Sequence, residues 1–164
     1  MKALVLGCGE MAQPAITDLM QQGMFRGVTV ATRHPLRAEA TIATLAGLSS
    51  QPAIERIDVH DTAALVALMR RHDVTCNLAG PNYRNAVPVA RAAIAAGVPL
   101  VDVSDDWEAT LEILALHDVA VAAGVTILLG LGASPGVTNV MARYGANQLE
   151  RVDEVRTSWI MRGS

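Results

Sequence analysis

Aromatic residues and cysteines are scarce in this sequence of 164 residues. Aromatic residues make up 3% of it, and the two cysteines, Cys8 and Cys76, stand apart without the paired spacing of a metal site. The isolation of the two cysteines excludes a disulfide framework and a zinc cluster, and we expect no metal site. Because isolated thiols are typical of a reducing compartment, we also expect a cytoplasmic protein.

The sequence also lacks a large charge of one sign and any long apolar run. The net charge is −3, so no cationic excess attracts nucleic acid or an anionic membrane surface. No run of about 18 uncharged apolar residues is found, and we expect no targeting segment before the first apolar run at residue 2. We therefore expect neither nucleic acid nor a membrane as a partner.

Short apolar runs alternate with helical patterns along the chain. The apolar runs predict strands at 2–6, 28–32, 54–59, 74–79, 99–103 and 125–131. The segments between them predict helices at 10–22, 35–46, 61–71, 84–96 and 107–123, and a further helical stretch ends near residue 148. This alternation is typical of right-handed βαβ units. The sequence therefore predicts an α/β fold, with a doubly wound, mainly parallel, Rossmann-like sheet and helices on both faces.

The first predicted strand runs into a glycine-rich turn, G-x-G-x-x-A, at residues 7–12. In such a turn Gly7 permits a tight bend, Gly9 lets a pyrophosphate approach the backbone, and Ala12 lets the helix lie close to the sheet. Free N–H groups at the helix N-terminus attract phosphate. The turn therefore predicts a dinucleotide site, in which we interpret Cys8 as a small filler.

The end of the second predicted strand distinguishes between the two nicotinamide cofactors. NAD enzymes usually place an acidic residue there to bind the ribose hydroxyls, whereas this chain has Thr32, Arg33 and His34, with Arg37 one turn later. The planar guanidinium of Arg33 can pair with a 2′-phosphate, Thr32 can donate a hydroxyl, and neutral His34 can donate weakly. The alternative is a solvated basic loop. We favour NADP(H) over NAD(H).

Two further strand ends face the same predicted crevice, because open parallel sheets bind ligands beyond the carboxyl ends of their strands. Asp58 can accept a hydrogen bond from an adenine amino group, although a turn or cap role is an equal alternative. Ala79, Gly80 and Pro81 are compact enough for the nicotinamide ribose to pass close to the backbone, although glycine and proline also simply mark a loop.

Two longer motifs carry more specific information than the glycine turn. They are A-G-P-x-Y-R-N at 79–85 and G-x-x-P-G-x-x-N at 132–139, in that order. Essentially the whole chain resembles the NADP-binding domain of the saccharopine dehydrogenase family, and these two motifs are the most specific part of the resemblance. The resemblance implies an oxidoreductase of amino-acid metabolism that moves hydride between NADP(H) and the C–N bond of an amino-acid or polyamine conjugate. It also implies a small-molecule substrate and a homodimer.

The resemblance assigns residues to each part of the cofactor. It places Gly7, Gly9, Glu10 and Met11 at the pyrophosphate, Thr32 and Arg33 at the 2′-phosphate, Asp58 and Val59 at adenine, and Ala79, Gly80 and Pro81 at the nicotinamide side.

One departure from the family leaves the substrate open. Many relatives have an aspartate where this chain has Ser134. Four polar residues follow the fourth and fifth predicted strands, on the substrate side: Tyr83, Arg84, Asp105 and Asp106. We interpret each as a cap or surface residue and assign no catalytic residue.

The last residues of the chain follow a different pattern. Residues 152–160 alternate like a strand without a partner. The segment is either an edge strand of the main sheet or, as we favour, part of a second domain. We therefore expect an NADP(H)-binding domain at 1–150 and the start of a substrate and dimerisation domain at 151–164, so that this chain alone binds cofactor without turning over substrate.

Two other functions remain open at this point. One is a non-catalytic nucleotide-binding module. The other is an S-adenosylmethionine-dependent methyltransferase, whose cofactor ribose normally requires an acidic residue where this chain has Arg33.

Overall fold

The computed structural model describes residues 1–45, 47–48 and 50–158. The strands of the described chain are β1 Lys2–Leu6, β2 Gly27–Thr32, β3 Ala53–Arg56, β4 Val74–Asn77, β5 Leu100–Asp102 and β6 Ile127–Leu128. The helices are α1 Ala12–Gln21, α2 Pro35–Ala43, α3 Thr62–Met69, α4 Asn82–Ala96, α5 Trp107–Leu114, α6 His117–Ala122 and α7 Val137–Ala146. None of the described helices is both long enough and apolar enough to cross a bilayer.

The six strands form one sheet in the order β3-β2-β1-β4-β5-β6, and each neighbouring pair is parallel. The chain builds outward from β1 to β3, then crosses back to β4 and builds outward in the other direction. At this reversal Leu6 is paired with Ala31 on one side and with Asn77 on the other. The carboxyl ends of β1, β2 and β4 therefore meet at the point where doubly wound sheets bind ligands.

The sheet is covered on both faces. Alternate side chains of β1 enter different apolar clusters, because successive residues of a strand point to opposite faces. Val5 packs in the cluster that contains Ile16 of α1, whereas Leu4 packs in the one that contains Leu65 of α3 and Val89 of α4. The predicted Rossmann-like fold, with helices on both faces, is confirmed.

The predicted helix at 107–123 is wrong in one respect, since the structure divides it into α5 and α6. The last turn of α5 closes with a hydrogen bond from the Leu116 N–H to the Ile113 carbonyl, three residues back. This tighter bond ends the i to i−4 ladder of α5 before α6 begins.

Four predicted strands are too long, and two of them overrun the observed strand by three residues or more. The run at 54–59 ends as a strand at Arg56, and in the run at 125–131 the strand covers Ile127–Leu128. The remaining apolar residues continue into loops that pack on the core, and Val59 and Val125 are both buried there. Apolar character predicted the burial of these residues but not the end of strand pairing.

The predicted strand at 152–160 is absent over its described part, residues 152–158, while 159–160 lie outside the described residues. A strand needs a neighbour for its backbone hydrogen bonds, and no described strand pairs with this segment. Before it, α7 begins within the second motif, where the Asn139 side-chain oxygen accepts the Gly136 N–H at 3.1 Å. This asparagine therefore caps the start of α7.

Candidate cofactor-binding site

The turn after β1 is held tightly between two neighbouring strands. Gly7 has a φ of 94°, and its N–H donates to the Ala31 carbonyl at 2.9 Å. A Cβ added at Gly7 would lie 2.6 Å from the Leu78 carbonyl oxygen. Both the backbone angle and the close approach therefore require glycine here.

Open space and free donors follow at the start of α1. A Cβ added at Gly9 would meet no heavy atom within 4 Å. The backbone N–H groups of Gly9, Glu10 and Met11 donate to no acceptor in the described part of the chain, and no side chain caps the helix. Unpaired donors at the positive end of a helix dipole fit a phosphate group.

A cavity of about 310 Å³ opens beyond the carboxyl ends of β1, β2 and β4. Its volume lies at the lower end of the range of ligand pockets. The structure brings together six of the predicted residues in its lining: Gly7, Gly9, Thr32, Arg33, His34 and Gly80. The lining also includes Cys8, Arg37, Ala38 and Leu78, to which the sequence analysis gave no cofactor contact.

A larger cavity, of about 550 Å³, lies near the amino end of β2 and includes Lys2, Arg26 and Arg71 in its lining. Parallel sheets bind cofactors beyond the carboxyl ends of their strands, and the glycine turn lies at that end. The smaller cavity, called the crevice below, is therefore the candidate cofactor site.

Cationic side chains line the β2 side of the crevice. Arg33 and Arg37 are exposed, and neither guanidinium forms an ion pair with a carboxylate of the described residues. The Thr32 hydroxyl oxygen accepts the His34 N–H at 3.3 Å, which leaves the hydroxyl hydrogen free to donate. Two unpaired guanidinium groups and a hydroxyl fit a phosphate on the adenosine ribose.

Arg37 is a site residue that the sequence analysis noted but did not assign. The available signal was its position one helical turn after Arg33. The charge of Arg37 also acts on Cys8. Burial raises the pKa of the Cys8 thiol above its ordinary value, and the Arg37 guanidinium lowers this pKa by a smaller amount. A thiol with a raised pKa remains protonated at neutral pH, which agrees with the interpretation of Cys8 as a filler.

Other predicted residues lie outside the lining of the crevice. Glu10 and Met11 are exposed beside it in the turn, and Ala79 and Pro81 flank Gly80. Their contacts with a cofactor stay predictions.

The two residues predicted at adenine lie in the loop after β3. The exposed Asp58 carboxylate accepts the His60 N–H at 3.0 Å, as in a turn. Val59 is 8% exposed and its side chain packs in the core, so any contact with adenine must come from its backbone. Their adenine contacts also stay predictions.

Buried polar residues at the ends of β4 and β5 were missed by the sequence analysis. Asn77 is 2% exposed and donates to the Asp102 carboxylate at 2.7 Å, and the Ser104 N–H donates to the other carboxylate oxygen at 2.7 Å. Burial raises the pKa of the Asp102 carboxyl, although these two hydrogen bonds oppose the shift. The available signal was a polar residue at the fourth position of both predicted strands, 74–79 and 99–103.

Comparison with known proteins identifies the family. The family model described as the saccharopine dehydrogenase NADP binding domain matches residues 3–128, which is more than half of the chain. The chain belongs to this family. It is therefore an NADP-binding domain of saccharopine dehydrogenase-like oxidoreductases, and the predicted family and the predicted NADP(H) cofactor are confirmed.

Two curated relatives carry the name saccharopine dehydrogenase [NADP(+), L-glutamate-forming]. The protein from Schizosaccharomyces pombe is 30% identical over 139 residues, which are 85% of this chain and 29% of the relative. The protein from Pyricularia oryzae is 31% identical over 139 residues, which are 85% of this chain and 28% of the relative. This chain thus spans less than a third of the length of the curated relatives it matches.

A solved structure extends the similarity to the fold. The apo saccharopine dehydrogenase (L-Glu forming) from Saccharomyces cerevisiae superposes with a TM-score of 0.75 at 27% sequence identity. The superposition covers 90% of this chain and 31% of that chain. The likeness therefore reaches beyond residue 128, where the match to the family model ends.

Proposed function

We propose that this chain is the cofactor-binding part of a reductase that acts on C–N bonds. Its substrate would be a small molecule in which an amino acid or a polyamine is joined to a carbonyl compound. The names of the curated relatives support this substrate class, because saccharopine is such a conjugate. The chemistry that NADP(H) supplies when bound is hydride transfer.

The observation that carries the proposal is the combination of phosphate-binding features in the crevice. Open space at Gly9 lies at one side, and the unpaired guanidinium groups of Arg33 and Arg37 lie at the other. We assign the pyrophosphate to Gly7, Gly9, Glu10 and Met11, the 2′-phosphate to Thr32, Arg33 and His34, adenine to Asp58 and Val59, and the nicotinamide side to Ala79, Gly80 and Pro81. No residue is assigned as the catalytic acid or base.

The domain boundary is part of the same proposal. Residues 1–150 would form the NADP(H)-binding domain, and 151–164 would begin a domain that completes the substrate pocket and forms a homodimer. The surface of α7 supports this, because the helix has no buried residue while Val140, Met141 and Tyr144 are exposed. The two free thiols, Cys8 and Cys76, suit the cytoplasm as the location.

Isothermal titration of the wild-type chain and Arg33→Ala with NADPH and NADH tests the cofactor assignment. Loss of the guanidinium removes charge-assisted hydrogen bonds to the 2′-phosphate, which NADH lacks. We expect Arg33→Ala to weaken NADPH binding by about 1.5–3 kcal/mol and to leave NADH binding nearly unchanged. Arg26→Ala is the matched control, because it removes the same charge near the other end of β2.

Three results of this titration would contradict the proposal in different ways. Equal losses for NADPH and NADH would remove Arg33 from the 2′-phosphate site. If Arg26→Ala weakened NADPH binding as much as Arg33→Ala does, the loss would reflect the change in net charge and not a contact of Arg33. Binding of S-adenosylmethionine by the wild-type chain, with no binding of NADPH, would favour a methyltransferase.

A further inference from the structure

Both backbone polar groups of Ala79 are held by asparagine side chains. The Ala79 N–H donates to the Asn77 side-chain oxygen at 3.2 Å, and the Asn85 amide donates to the Ala79 carbonyl at 2.9 Å. Asn77 and Asn85 are 2% and 6% exposed. Since β4 ends at Asn77, Ala79 has left the ladder of the sheet, and side chains supply the partners that its backbone needs.

Each asparagine is itself anchored to a neighbouring loop or strand. The Asn77 amide donates to Asp102 of β5 at 2.7 Å. The Asn85 side-chain oxygen lies 3.1 Å from His60 Nε2, and because that oxygen can only accept, His60 Nε2 carries the hydrogen. His60 lies in the loop between β3 and α3. The hydrogen bonds therefore connect the ends of β3, β4 and β5 to Ala79.

The residue after Ala79 is presented to the crevice. Gly80 lines it, is exposed, and bonds neither its N–H nor its carbonyl to any part of the chain that is described. Buried, fully paired amide networks restrict motion, because breaking one bond leaves a costly unpaired group. The two asparagines thus hold the backbone of Ala79 in place, directly before the unpaired N–H and carbonyl of Gly80.

We propose that Asn85 is a positioning residue for the nicotinamide half of the bound dinucleotide. By donating to the Ala79 carbonyl it sets the direction of the Gly80 backbone, which faces the cofactor. This inference rests on the proposed placement of the nicotinamide beside residues 79–81. It also gives a physical role to Asn85 as the last residue of the motif at 79–85, because none of the proposed cofactor contacts involves Asn85.

Asn85→Asp separates this role from general packing. The aspartate keeps the shape of the side chain and an oxygen for His60, but it replaces the amide donor with an oxygen that repels the Ala79 carbonyl. Asn82→Asp is the matched control. It makes the same charge change in the first turn of α4, where the Asn82 side chain makes no hydrogen bond to a described residue.

The experiment measures the dissociation constants of NADPH and of adenosine 2′,5′-bisphosphate, which has the adenosine half but no nicotinamide. We expect Asn85→Asp to raise the dissociation constant of NADPH about ten-fold and to leave that of the bisphosphate within about two-fold of the wild-type value. Asn82→Asp should change neither. The nicotinamide fluorescence of bound NADPH should also shift towards that of free NADPH in Asn85→Asp.

Equal losses for the two ligands, or no loss for NADPH, would overturn the inference while the proposed function stands. If the wild-type chain bound no NADPH, the proposed function would fail and the inference with it. If circular dichroism shows that Asn85→Asp is unfolded, His60→Leu replaces it, because His60 is exposed and its loss releases the Asn85 oxygen. A selective loss for NADPH of about three-fold is then expected, and its absence overturns the inference.

Discussion

At the scale of single residues, Gly7 and Gly9 share one turn, but a methyl group would meet different surroundings at each. At Gly7 it would press against the Leu78 carbonyl, on a backbone with positive φ. At Gly9 it would project into open space, where we place the pyrophosphate. A side chain at Gly7 would therefore disturb the fold, whereas a side chain at Gly9 would disturb the proposed ligand.

Alanine substitution should separate these two roles. We expect Gly7→Ala to lower the free energy of unfolding by about 2–4 kcal/mol, because the strained backbone and the contact with Leu78 must both relax. Gly9→Ala should change this free energy by less than about 0.5 kcal/mol. It should nevertheless weaken NADPH binding about ten-fold or more.

Urea unfolding and isothermal titration on the same two variants provide the measurement. If Gly9→Ala bound NADPH as the wild-type chain does, the pyrophosphate could not lie against Gly9. A fully stable Gly7→Ala variant would contradict the close approach of β1 and β4.

At the scale of elements, side-chain caps show why an acidic residue between a strand and the next helix need not be catalytic. The Asp106 carboxylate accepts the Ala109 N–H at 2.8 Å and so caps α5. Asp61 caps α3 in the same way, at 3.0 Å from the Ala64 N–H. The interpretation of Asp106 as a cap agrees with this geometry.

Removing the cap of α5 should therefore reduce stability. We expect Asp106→Ala to lower the free energy of unfolding by about 1 kcal/mol, because the Ala109 N–H loses its acceptor. Asp105→Ala is the matched control, since Asp105 is exposed and its carboxylate accepts no hydrogen bond from the described residues. Chemical denaturation of both variants measures the difference, and equal stability losses would exclude a capping role.

The elements also differ in how well the sequence predicted them. Each of the first four predicted helices overlaps one observed helix, because each has apolar residues at helical spacing between two strands. The break between α5 and α6 was missed because both helices carry the same kind of apolar residues. Nothing in that pattern indicates the hydrogen bond from Leu116 to Ile113 that ends α5.

At the scale of the whole molecule, apolar side chains are exposed on α7. Val140, Met141 and Tyr144 are 66%, 67% and 71% exposed. Exposed apolar side chains that are clustered on one element often mark a contact surface. The proposed homodimer offers one way to cover them.

Self-association of this chain would follow from such a surface. We expect the weight-average sedimentation coefficient to rise with protein concentration, and Val140→Lys to reduce that rise because it places a charge in the contact. Val121→Lys, at a comparably exposed position on α6, is the control. A purely monomeric wild-type chain across a wide concentration range would count against a homodimer formed by this part of the protein.

The sequence predicted the architecture, the location of the glycine turn and the choice of NADP(H). Each depends on a local pattern: alternating apolar runs, glycine spacing, and Arg33 in place of an acidic residue after β2. Local patterns carry this information because strand and helix periods and charge are properties of nearby residues.

The full set of residues around the crevice and the contacts that hold its loops became known from the three-dimensional arrangement of the strands. Arg37 lies beside Cys8, and Asn85 connects His60 to Ala79. The residues of these contacts are distant in sequence or belong to different elements. Such contacts depend on the sheet order and on the register that aligns the ends of β1, β2 and β4. A hydrogen bond between residues 25 positions apart leaves no periodic signal in the sequence, so its partners become visible only when the strands are paired.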